Sequence, residues 1–123
     1  GSALPTVERT LQFIAEVDHD NLFLLMDVGH LQMCDEDVTA SVEAAGERLG
    51  YVHVDDNDGV GDLHLSLLDG VMTADLLRRL FAALAQAAYD GAVSVELSAQ
   101  LPDPAAAITR SRQLLLEAAP ALC

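Results

Sequence analysis

The sequence predicts an α/β fold of about three parallel strands alternating with four helices. Short apolar runs at residues 22–26, 51–54 and 92–97 have strand length and are too short for buried helices. Longer segments of helical periodicity separate and flank them. The resulting order is αβαβαβα, repeating every ~30 to 40 residues, which is the βα unit of a parallel sheet with right-handed crossovers.

Each element has a local reason. Pro5 opens a helical pattern to about residue 17, with Val7, Leu11 and Ile14 at spacings that share one face. Residues 22–26 form a continuous apolar run, expected as a strand covered on both faces. Asp27-Val28-Gly29-His30 is expected to turn the chain. Asp35, Glu36 and Asp37 place negative charge where the first turn of the next helix exposes its free N–H groups. That helix is expected to pass through Leu49 and stop at Gly50. Tyr51 to Val54 is the second strand.

A loop rich in Gly and Asp follows, from Asp55 to Gly70, longer than most connections and of a length associated with function. Thr73 is placed to cap a helix over 74–89, whose Leu76, Leu77, Leu80, Phe81 and Leu84 form a wide apolar face. Residues 92–97 are the third strand. Pro104 introduces the last helix, to about residue 118. The 123 residues are expected to form a single domain.

Net charge is -14, from 20 acidic residues against six arginines and no lysine. Such a surface repels phosphate backbones, so a nucleic-acid partner is not expected. Carboxylates crowded together are also what a site for cations needs. No apolar run reaches the ~20 residues of a membrane span. Two cysteines, Cys34 and Cys123, are too few for a disulfide framework, and a reducing cytoplasmic setting is expected. Cys34, four residues after His30, is an alternative thiol ligand.

In a parallel α/β sheet the binding groups gather at the carboxyl ends of the strands. Chain direction alone puts Asp27, His30, Asp55, Asp56 and the loop pair Asp62/His64 at that end, with Glu96 near the end of its own strand. Asp, His and Glu from separate strands make the mixed nitrogen and oxygen shell that suits Zn, Mn, Co or Fe at a catalytic site. Tyr51, His53 and Asp55 share one strand face. Asp62 and His64 face the same way if their stretch is extended, so a second cation is geometrically reasonable. Asp55, Asp56 and Asp58 beside Asn57-Gly59 read equally well as turn formers. His19, flanked by Asp18 and Asp20, reads as a surface residue. The arginines read as partners of surface acids.

Leu25-Met26-Asp27-Val28-Gly29-His30, His53-Val54-Asp55-Asp56-Asn57-Asp58-Gly59, Asp62-Leu63-His64, Tyr89-Asp90-Gly91 and Ser94-Val95-Glu96-Leu97 occur in this order. Together they resemble the xylose isomerase-like TIM-barrel superfamily, which contains sugar isomerases and epimerases and the endonuclease IV type of apurinic-site nuclease. The resemblance implies that Asp27, His53 and Glu96 ligate a divalent metal and that Glu96 also acts as base. It implies that His30 is either a metal ligand or a substrate contact, and that Asp62 and His64 hold an additional metal.

The implied activity is sugar isomerisation or epimerisation by proton transfer next to a metal-bound carbonyl. The alternatives are a non-catalytic half-barrel subunit or binding module, and an apurinic-site phosphodiesterase. The family barrel has eight strands and about 250 residues, and this chain resembles only strands six to eight. A partial (β/α) barrel is therefore expected, completed by self-association or by a partner chain supplying the missing half. The expected substrate is a sugar or a sugar-like small molecule.

Overall fold

The structure is a computed structural model, which describes residues 6–119. Pro5 and Cys123 lie outside the described residues. Helix α1, Val7–Val17, is capped by Thr6, whose hydroxyl accepts from the Arg9 amide. Strand β1, Leu24–Asp27, leads without a break into helix α2, Val28–Met33. Helix α3 is Val38–Ala45, and a single 3-10 turn, Gly46–Arg48, joins it to strand β2, Leu49–Val54. Helix α4, Ala74–Gln86, strand β3, Val93–Val95, and helix α5, Pro104–Ala118, complete the order.

The three strands are parallel, in the order β1-β2-β3. Asp27 is level with His53, and His53 is level with Ser94. The core lies on the helix side of the sheet, where Leu24, Met26, Val52 and Val54 meet Val42, Leu77, Leu80 and Leu84. Among the described residues no helix is long and apolar enough to cross a membrane.

Several expectations change. Among the described residues there are five α-helices rather than four, because the turn expected at Asp27 to His30 is the start of α2. The Asp27 carboxylate caps that helix by accepting from the His30 amide at 3.2 Å, a bond that stabilises a first turn. The α3 helix ends at Ala45 rather than near Leu49. Gly46 takes φ +52, which breaks the helix, and Leu49, 6% exposed, is needed by the core as the first residue of β2. Strand β1 is not covered on both faces: Leu25 is 54% exposed while its neighbours Leu24 and Met26 are buried. The ends of α4 and β3 fray inward, to Gln86 and to Val93–Val95.

The long loop is ordered by one residue. Asp56 is fully buried, and its carboxylate accepts from the amides of Asn57, Gly70 and Met72 at 2.8–2.9 Å. An antiparallel bridge from Asp56 to Leu65 adds two backbone bonds. Asn57 is buried as well and donates to the Gly29 carbonyl at 2.9 Å, which ties the loop to α2. Of the residues read either as turn formers or as chemistry, Asp56 is thus a structural anchor.

Candidate metal centre

The carboxyl end of the sheet carries the chemistry. His53 points from the open face of β2 toward Glu96, just past β3, with Nδ1 and Oε2 2.5 Å apart. Its ring stands edge-on to Tyr51, centroids 4.9 Å apart, which restricts the imidazole. Asp27, level with His53 on the next strand, completes a group: one donor atom each from Asp27, His53 and Glu96 lie within 4.8 Å of one another. The structure thus brings these three side chains together.

A second group stands beside it, with donor atoms of Asp55, Asp62 and His64 also within 4.8 Å of one another. His64 Nε2 is 3.2 Å from Asp62, and His30 Nε2 is 3.1 Å from the other Asp62 oxygen. His30 Nε2 also lies 3.7 Å from Asp27, so it stands between the two groups. Asp62 and His64 meet as expected, but not through an extended backbone, since His64 has φ +52. Cys34 is half-buried and belongs to neither group. A cavity of about 400 Å³ opens on the site, walled by Asp27, His30, His53, Asp62, His64 and Glu96.

Asp55 is the residue that turn chemistry concealed. It is 1% exposed, and neither of its oxygens accepts a hydrogen bond among the described residues. His64 Nδ1 is 2.5 Å away, but the ring N–H is aligned with the Glu96 carbonyl oxygen at 3.3 Å. Burial, then the adjacent Asp27 carboxylate, pushes the Asp55 carboxyl up to about 8. Burial by itself would lower the His64 pKa, but the charges of Asp55 and Asp62 outweigh it and raise the value. The signal for Asp55 was present in the alternation that sets Tyr51, His53 and Asp55 on one face.

The arginines behave largely as expected of surface residues. Arg110 pairs with Asp69 at 2.7 Å, and Arg79 pairs with Asp75 at 3.1 Å. Arg48 differs: it lies over the Phe23 ring and donates to the Leu22 carbonyl. His19 is exposed.

The donor sets fit divalent cations. Each joins imidazole with carboxylate, both are drawn from different elements, and the second contains a buried carboxylate that no hydrogen bond neutralises.

A model of the xylose isomerase-like TIM barrel family matches residues 1–118. Over 95 residues the chain is 38% identical to L-ribulose 3-epimerase of Methylomonas sp. (strain DH-1), covering 76% of this chain and 30% of that protein. The crystal structure of a D-tagatose 3-epimerase-like protein superposes with a TM-score of 0.76 at 25% identity, covering 92% of this chain and 40% of that one. For D-allulose 3-epimerase from Methylomonas sp. the TM-score is 0.65 and the identity 30%, with 99% and 42% of the two chains covered. The chain thus spans between 30% and 42% of the length of these relatives. The three parallel strands and five helices of its described residues are a partial α/β TIM barrel, and the chain belongs to the xylose isomerase-like TIM barrel family.

Proposed function

We propose that this chain supplies the metal-binding and proton-transferring part of a sugar epimerase site. The observation that carries the reading is the approach of Asp27, His53 and Glu96 donor atoms to within 4.8 Å of one another on three adjacent strand ends. Asp27, His53 and Glu96 would hold one divalent cation, and Asp62 and His64 would hold a second. A cation held there polarises a carbonyl and so acidifies the neighbouring carbon. The names of the relatives suggest a small keto sugar as substrate and its third carbon as the reacting centre.

Glu96 is the base in this reading. It is half exposed at the cavity wall, and its carboxylate can take a proton from a bound sugar. His53 orients it through the Nδ1 contact. His30 faces the same cavity and can donate to a sugar hydroxyl, which fixes the ring or chain against Glu96.

Inverting a carbon centre requires removal of the proton on one face and its return on the other. The groups named here all stand on one rim of a three-stranded sheet. The opposite acid/base is therefore assigned to the part of the barrel that these three strands do not include. The match of the three strands to the sixth to eighth of the barrel is part of the same proposal and rests on the order of the ligand residues. A net charge of -14 disfavours the phosphodiesterase reading.

The test is hydrogen exchange at the third carbon of a ketose in heavy water, followed by NMR with added Mn²⁺ or Co²⁺. Exchange should require the cation and should vanish in Glu96→Gln. Exchange that survives Glu96→Gln unchanged would refute the assignment of the base.

A further inference from the structure

We propose that Asp55 is a ligand of the second cation, joining Asp62 and His64 to close that site from below. The inference rests on the two-cation reading above and extends it to a residue placed there by neither turn chemistry nor the epimerase step.

Three observations support it. Asp55 is 1% exposed at the base of the cation group, and neither of its oxygens accepts an aligned hydrogen bond among the described residues, its close contact being His64 Nδ1 at 2.5 Å. A carboxylate withdrawn from water without donors is costly, and native structures seldom keep one unless a cation offsets it. Its donor atom also lies within 4.8 Å of those of Asp62 and His64, so the three can converge on one ion without rearranging the strand.

The third observation is the space made for it. A Cβ at Gly29 would stand 1.9 Å from Asp55 Oδ1 and 3.2 Å from the Asn57 amide nitrogen. Glycine at the first turn of α2 thus makes room for the Asp55 carboxylate. Asn57, a side-chain donor beside Gly29, donates to the Gly29 carbonyl and not to that carboxylate. The fold brings the acid in, holds its neighbours elsewhere, and leaves its oxygens facing the Asp62 and His64 donors.

The test counts Co²⁺ bound to the full chain by equilibrium dialysis with metal analysis, and follows the cobalt absorption bands. Wild type should bind two ions. Asp55→Asn should bind one, with at least a 100-fold loss in the affinity of the second, and the bands of the remaining ion should persist. Asn is the isostere of a protonated aspartic acid, so a space-filling or hydrogen-bonding role would survive this change. Melting of Asp55→Asn in chelator, at or above the wild-type temperature, verifies that the variant is folded.

His53→Ala separates the two readings, because it should remove the first ion and leave the second. If His53→Ala keeps both ions, the proposed function fails at its first cation while the role of Asp55 is judged by its own variant. Should Asp55→Asn bind as many ions as wild type with equal affinity, the inference is overturned. His64→Ala, which removes a second donor of the same group, should reproduce the loss; retention of both ions there would overturn it equally.

Discussion

Asp27 carries two duties on two oxygens, and a single substitution separates them. Oδ1 accepts from the His30 amide and caps α2, while Oδ2 lies on the side of His30 Nε2. Asparagine caps helices as well as aspartate, so Asp27→Asn should shift stability by only about 0.5 kcal/mol. It should weaken Mn²⁺ or Co²⁺ binding at the first site by about 100-fold or more, since a neutral amide replaces an anionic ligand. Calorimetric titration beside a thermal melt checks both halves. Asp55 and His64 give a pH dependence whose sign follows from their direction. Both hold protons in the folded chain at pH values where the unfolded chain has released them, Asp55 from 3.8 up to about 8 and His64 above 6.5. The folded state therefore binds more protons, and metal-free stability should fall as pH rises from about 4 through 8. Asp55→Asn should flatten much of that decline, as read by melting temperature against pH in chelator. Sequence reading singled out Asp27, His30, His53 and Glu96 because each lies in or just past an apolar run, and Asp62 and His64 because they pair within the long loop. It left Asp55 equally a turn former and a chemical group, because Asp-Asp-Asn-Asp-Gly is also how a turn is written, and burial separates the two.

At the scale of elements, the loop after β2 works as a shaped support for the site. Asp56 gathers three amides from two separated stretches of chain, so Asp62 and His64 are held from behind. Asp56→Ala leaves those buried donors unmatched and should cost about 2–4 kcal/mol. Amide exchange at Gly70 and Met72 should rise with it, while amides of α4 stay protected. Gly29→Ala probes the seam between α2 and the loop. The new Cβ meets the Asp55 carboxylate, and a loss of about 1–3 kcal/mol is expected from the forced shift. Strands β2 and β3 and helices α4 and α5 were legible from their apolar patterns, from the Thr73 cap and from Pro104 at the start of α5. Helix α2 was not, for it has six residues, too few to show a helical period, and begins directly after a strand and its Asp27. Gly50 was the expected stop for α3, whereas the helix ends at Ala45 with Gly46 as its cap. The burial of Leu49 decided between them, and that is a tertiary fact.

For the molecule as a whole, the sheet is half dressed. Helices cover the face bearing Met26 and Val52, while the other face leaves Leu25 54% and Tyr51 37% exposed below the ligand rim. Among the described residues β1 and β3 each pair on one side only, and such edges and apolar faces favour association. The chain alone should therefore form a dimer or higher species in sedimentation, and Leu25→Asp should shift it toward monomer without unfolding it. The acidic surface that repels nucleic acid also raises the local concentration of cations at the rim.

The account turns on one cation seated between three strand ends, and anomalous diffraction from crystals of the chain grown with Mn²⁺ or Co²⁺ tests it most directly. A peak about 2.0–2.3 Å from donor atoms of Asp27, His53 and Glu96 together is the expected result. A cation-loaded crystal with no peak among those three residues, and its metal bound elsewhere, would contradict it.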